Sequence, residues 1–138
     1  MPDTVRRVDY YYATVPDKPG EAARILQAIH QAGINLLGFS GFPSGARRSQ
    51  LDFIPEDPAA FARTAKAARL KLSRKKTGFL IQGDDRPGVV AQIAARLGQA
   101  GINVTAVDAV CAGAGRYGAL LWVKAPDIRR AAKLLGAS

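Results

Sequence analysis

The sequence predicts an α+β chain of two tandem βαββαβ units, and two features carry that prediction. The first is internal duplication. Residues 17–36 read DKPGEAARILQAIHQAGINL and residues 85–104 read DRPGVVAQIAARLGQAGINV, with ten of twenty positions identical at an offset of 68. Self-similarity at one fixed spacing marks a chain made of two copies of one supersecondary unit. The second feature is the change of period within each copy, from β-branched and aromatic runs to apolar residues every three or four positions and back.

Taken in order, residues 5–15 are rich in β-branched and aromatic side chains, including Tyr10, Tyr11 and Tyr12, and stop at Pro16 as a first strand would. A helix over 19–32 follows, with Ala22, Ile25, Leu26, Ile29 and Ala32 on its inner face and Gly33 closing it. Residues 34–42 form a second strand, and Pro43, Ser44 and Gly45 turn it into a third at 49–54. Pro58 opens a second helix that runs to about Arg69, with Phe61, Ala65 and Ala68 as its apolar edge. Residues 70–74 alternate and predict a short fourth strand. This order gives a four-stranded antiparallel sheet with both helices on one face, the ferredoxin-like arrangement.

The second unit repeats the pattern, with a strand at 77–82 and a helix from about Pro87, whose first-turn N–H groups Asp85 is placed to accept. Val90, Ile93, Leu97 and Ala100 make its apolar stripe, and Gly101 supplies the left-handed residue that ends it. Strands at 102–111 and 117–123 flank a glycine-rich turn at 113–115, and a last helix covers 126–135. By the repeat offset Ser138 corresponds to Leu70, so the second unit lacks its own fourth strand. The units divide at 1–74 and 75–138. An unpaired edge along 77–82 needs cover, from the first unit, the N-terminal segment or a second copy of the chain.

The D-[KR]-P-G turn, the helix after it and the closing A-G-I-N resemble the opening half of an ACT domain, the small ligand-binding regulatory module of amino-acid metabolism. Both copies match. The resemblance implies the fold just derived, a homodimer through side-by-side sheets, and a small ligand, an amino acid foremost, held at a domain interface by the turn and the following strand. Carried onto this sequence, the ligand-binding candidates are Asp17, Lys18, Pro19, Gly20, Asn35 and Leu36, with Asp85, Arg86, Pro87, Gly88, Asn103 and Val104. The chemistry agrees, because a turn entering a helix presents backbone N–H groups at the positive end of the dipole, which suits a carboxylate. Gly20 and Gly88 clear the approach, and an asparagine amide both donates and accepts. The second copy fits better, having Val89 where the first has Glu21.

Composition bounds the alternatives. Hydrophobic residues are 48% and charged residues 22%, as in ordinary globular proteins, and no apolar run reaches bilayer length, so the expectation is a cytoplasmic protein without a leader. One cysteine, Cys111, expected as a small buried hydrophobe, and one histidine, His30, expected on a helix surface, build neither a disulfide nor a metal cluster. Without paired catalytic groups or a phosphate loop, no catalytic residue and no cofactor are expected. The carboxyl pairs Asp84–Asp85 and Glu56–Asp57 stand beside turns, where acids cap helices or face water. The net charge of +9, with seven basic residues from Arg63 to Lys76, raises nucleic acid as an alternative partner. Against it, the third strands lack the aromatic signature of RNA-binding sheets. The resemblance favours a regulatory protein that acts through self-association or a partner enzyme, and a pure oligomerisation module is the other alternative.

Overall fold

A computed structural model describes residues 3–138. The elements are β1 (Thr4–Pro16), α1 (Glu21–Gln31), β2 (Leu36–Pro43), β3 (Arg48–Pro55), α2 (Pro58–Ala67), β4 (Lys76–Asp84), α3 (Val89–Gln99), β5 (Val104–Gly113), β6 (Arg116–Val123), a 3-10 turn at Ala125–Asp127 and α4 (Ile128–Leu135). They form two compact units, one over Asp9–Lys76 and one over Thr77–Ser138 together with residues 3–8. β1 therefore contributes its first residues to one unit and the rest to the other.

In the N-terminal unit β3 lies between β1 and β2, antiparallel to both, with Phe53 opposite Tyr11 on one side and Phe39 on the other. Alternation sends Ala13, Val15, Leu51 and Phe53 to the face covered by the helices, where they meet Ile25 and Ile29 of α1 and Phe61 of α2. The Phe53 and Phe61 rings sit 5.1 Å apart at 38°, a tilted contact that aromatic quadrupoles favour. α2 is capped as its sequence dictates: Pro58 opens it and the Asp57 carboxylate accepts the Ala60 N–H at 3.1 Å. Ala32 and Ala68, placed inward by periodicity, are exposed, because each lies beyond the last helical residue.

The fourth strand expected at 70–74 is not a regular strand. Ser73 N–H donates to Tyr12 C=O at 2.8 Å, but the Tyr12 N–H donates back to the Ser73 hydroxyl and not to a main-chain carbonyl. A side chain has taken one rung of the ladder, so pairing stops there. Leu70 and Leu72 still pack against the unit's core, as their alternation requires.

In the C-terminal unit β6 lies between β4 and β5, antiparallel to both. Phe79 and Ile81 of β4, Val89, Ile93 and Leu97 of α3, Tyr117, Ala119, Leu121 and Val123 of β6, and Ala131, Ala132 and Leu135 of α4 make one core. The place beside β4 that a fourth strand would fill is taken by the start of β1, with the Thr4 hydroxyl donating to Gln82 C=O at 3.3 Å. Of the three covers considered for this edge, the N-terminal segment is the one observed. The chain end adds to it, since Ser138 N–H donates to Val5 C=O and Arg7 N–H donates to Ser138 C=O.

Both repeat helices start later than the prolines suggested. Gly20 at φ +87° and Gly88 at φ +81° stand immediately before α1 and α3 in the left-handed region, which Pro cannot enter and other L-residues enter only with strain. The prolines belong to the turn ahead. Gly33 and Gly101, both at φ +74°, end these helices as expected.

Candidate functional site

The duplicated corner repeats three of its main-chain hydrogen bonds. In the first copy Asp17 N–H donates to Arg47 C=O, Glu21 N–H to Lys18 C=O and Arg24 N–H to Gly20 C=O; in the second Asp85 N–H donates to Gly115 C=O, Val89 N–H to Arg86 C=O and Gln92 N–H to Gly88 C=O. Each helix therefore begins on a left-handed glycine, and no side chain caps either one. Asp85 is not the cap that the sequence suggested. It is exposed, and its carboxylate lies by the Cys111 thiol, which it pushes up from the ordinary thiol range.

At the second copy this geometry opens into a cleft of about 270 Å³ lined by Asp85, Arg86, Gly88, the first turn of α3 (Val89, Val90, Ala91), the end of β5 (Ala109, Val110, Cys111) and Tyr117. The cleft exists because helical cover stops short of β5. Ala109 and Cys111 stand opposite Ala119 and Tyr117 of β6 and so share the core-facing side of the sheet, yet both are exposed. Cys111 was expected to be buried. It is exposed because β5 is an uncovered edge, which alternation alone does not distinguish from a central strand.

Its charge is one guanidinium, Arg86, with two carboxylates near it, Asp85 in the lining and Asp3 on the guanidinium itself. Arg86 donates to Asp84 C=O at 2.9 Å and forks onto Asp3, Nη1 to Oδ1 at 3.3 Å and Nη2 to Oδ2 at 3.2 Å. Tyr117 is only 4% exposed, and among the described residues its hydroxyl makes no hydrogen bond of good geometry, although the Asp3 carboxylate lies close to it. Burial, then the nearby Asp3 carboxylate, pushes its pKa up to about 12, so the phenol is a neutral donor at physiological pH. With the uncapped N–H groups of Val90 and Ala91, the corner offers a cation, main-chain donors and an apolar wall.

The predicted residues separate into two groups. Asp85, Arg86 and Gly88 line the cleft, and Pro87 shapes the turn between them. Asn103 and Val104 do not reach it, because the eleven residues of α3 put roughly 16 Å between its two ends. Val104 pairs with Val123 in the sheet. In the first copy Asp17, Lys18, Pro19 and Gly20 form the matching turn, exposed throughout. Asn35 is tied to Glu56, donating from Nδ2 to Oε2 at 3.0 Å and accepting the Glu56 N–H at its carbonyl, and Leu36 pairs with Pro55. This first corner also holds its own anion: Glu21, in the first turn of α1, is paired with Arg24, which keeps its carboxyl below the usual range.

Three residues at the second corner, Asp3, Gly83 and Tyr117, were not picked out from the sequence. The first copy has Val15 and Ser49 as a cross-strand pair where the second has Gly83 and Tyr117. A search for what the copies share passes over them. The exchange of sizes where the copies differ is a signal that finds Gly83 and Tyr117, and none of this kind finds Asp3.

The ACT domain family model matches residues 79–137. This unit is an ACT domain. The N-terminal unit repeats the ACT domain's order of elements and its corner hydrogen bonds. Protein BT0572 from Bacteroides thetaiotaomicron is similar in fold, with a TM-score of 0.83 at 14% identity over 96% of this chain and 88% of that one. The ligand-free regulatory subunit of aspartate kinase from Thermus thermophilus has a TM-score of 0.67 at 17% identity over 99% of this chain and 95% of its own. The regulatory subunit of aspartate kinase from Thermus flavus has a TM-score of 0.63 at 16% identity, covering 99% and 95%. At such identities the likeness is one of fold. Among curated proteins none matches the sequence.

Proposed function

We propose that this chain is a non-catalytic regulatory protein that binds an amino acid or a similar small carboxylate at the corner of its ACT domain. The observation that carries the reading is the cleft itself, in which Arg86, the uncapped start of α3 and an apolar wall from β5 meet. A carboxylate suits the first two and a short side chain the third. At about 270 Å³ the cleft falls just under the ~300–1,000 Å³ typical of drug-sized ligand sites, which fits a small metabolite. The first corner, with Glu21 in the first turn of its helix where the second has the apolar Val89, is the weaker receiver.

Output then passes through association. β5 presents a bare edge with Val107 44% and Val110 68% exposed, beside the cleft, and we assign it to a homodimer contact or to a partner enzyme. Regulatory subunits of aspartate kinase share the fold, which supports an enzyme of amino-acid metabolism as that partner. A cytoplasmic setting, where the exposed Cys111 thiol stays reduced, accords with this.

The test is thermal melting with each amino acid at millimolar concentration. A ligand at about 100 times its Kd adds about 2.7 kcal/mol to the folded state and raises the midpoint by several degrees. No shift with any amino acid, together with salt-sensitive retention of RNA, would turn the reading toward the exposed basic residues between Arg63 and Lys76.

A further inference from the structure

Arg86 meets in Asp3 the chemical group that the proposed ligand would bring. The fork of two N–H groups onto two oxygens, at 3.3 and 3.2 Å, is the arrangement an arginine makes with a free carboxylate. Space for it depends on Gly83. A Cβ there would lie 2.0 Å from Asp3 Oδ1 and 2.9 Å from Tyr117 Cε1, so an alanine would displace the aspartate. The first copy, with Val15 at that position, has no such seat.

We infer that Asp3 is a tethered competitor for the carboxylate seat of Arg86, so that an incoming amino acid takes the guanidinium from Asp3 and frees the start of β1. The inference rests on reading the corner as a ligand site. Three features favour exchange over a fixed pair. The Arg86 side chain is 40% and the Asp3 side chain 20% exposed, so the pair is partly open to water, and ion pairs so placed are weak enough for a millimolar carboxylate to compete. The bond from Arg86 to Asp84 C=O does not involve Asp3, so the guanidinium stays in position when Asp3 leaves. The buried Tyr117 hydroxyl stands at the same place, close to Asp3, and is a donor that a ligand oxygen can take over when Asp3 leaves.

Release has somewhere to go. Asp3 precedes Thr4, whose hydroxyl bonds Gln82 of β4, and Val5 and Arg7 hold Ser138. A ligand that displaces Asp3 loosens the one strand that covers the β4 edge, which couples occupancy to the exposure of a sheet edge.

Titration of wild type, Asp3→Ala, Arg86→Gln and the double variant decides the matter, by calorimetry with amino acids and by NMR of arginine side chains with acetate. Asp3→Ala is expected to bind acetate and the amino acid about two- to fivefold more tightly than wild type, the range an exposed ion pair allows, and Arg86→Gln to abolish binding in both backgrounds. Equal or weaker binding by Asp3→Ala, with wild type still binding an amino acid, overturns the competitor and leaves the functional reading standing. Acetate bound at Arg86 by Asp3→Ala, with no amino acid bound by any variant, keeps the competitor and removes the functional reading. Binding of neither probe by any variant overturns both.

Discussion

Gly88 and Gly98 stand ten residues apart around one helix, and they show how little the identity of a residue says without its backbone. Gly88 has φ +81° and open space around a Cβ, so replacing it by alanine creates no clash but forces a left-handed alanine. Gly98 lies inside α3 with equally open space and no positive φ. Gly88→Ala is expected to lower stability by about 1 kcal/mol and Gly98→Ala to raise it by about 0.5–1 kcal/mol, measured by urea unfolding. Tyr117 makes the second case. Its folded pKa is raised to about 12 from an ordinary value near 10, so between those values the unfolded chain has released the phenolic proton while the folded chain keeps it. Fewer protons on the unfolded state mean that stability falls as pH rises from about 10 to about 12 and is fully present below. In Tyr117→Phe that decline is expected to be shallower, with the remainder belonging to Tyr10, also raised to about 12 by burial and then Asp52. Below pH 10 the phenylalanine variant is expected to stay within about 1 kcal/mol of wild type, because among the described residues the lost hydroxyl makes no well-aligned hydrogen bond and has only the neighbouring Asp3 to lose.

The elements divide into those whose residues state their place and those whose place depends on neighbours. α2 is legible up to its last turn: Asp57 caps, Pro58 opens, and Phe61 and Ala65 turn inward, each for a local reason, while Ala68 falls just past the helix end. α1 and α3 were legible as helices but not at their starts, because proline suits both a first helical turn and the turn before one, and only the glycine's positive φ decides. β5 was legible as a strand and not as an edge. Its run of valines and alanines looks like a buried strand, and what exposes it is where α3 and α4 stop, which lies in tertiary packing. Of the candidate site, the repeated turn could be read twice over, whereas Asp3, Gly83 and Tyr117 lie outside the stretch that repeats. The same bare strand yields a prediction. Val110→Lys places a charge on an exposed apolar edge, the device natural sheets use to block edge pairing. It is expected to shift the chain to monomer in sedimentation velocity without lowering its melting temperature by more than a degree or two, and a wild-type chain that is monomeric at 100-fold dilution and at high concentration alike would remove β5 as a homodimer contact.

Duplication explains the order of elements, and in the C-terminal unit the start of β1 lies along β4 where a fourth strand of the repeat would pair. Residues 3–8 count with the C-terminal unit although the whole of Asp9–Lys76 separates them from the rest of it in sequence, and they are held there by Thr4 on Gln82, by the Asp3–Arg86 pair and by Ser138 bonded to Val5 and Arg7. A fragment of residues 77–138 would therefore carry the whole helical core of the ACT domain and still expose the backbone N–H and C=O groups of β4. Such an edge recruits whatever strand it meets. The fragment is expected to associate, with broadened amide signals. Because Ser138 already lies against Val5 and Arg7, appending residues 3–8 to its end through a short Gly-Ser linker returns the strand without rebuilding anything else. That permuted fragment is expected to be monomeric with dispersed signals at concentrations where 77–138 associates. If the two fragments proved equally stable and equally monomeric, the start of β1 would be packing on the ACT domain without completing it, and loosening it by ligand would have no structural consequence to transmit.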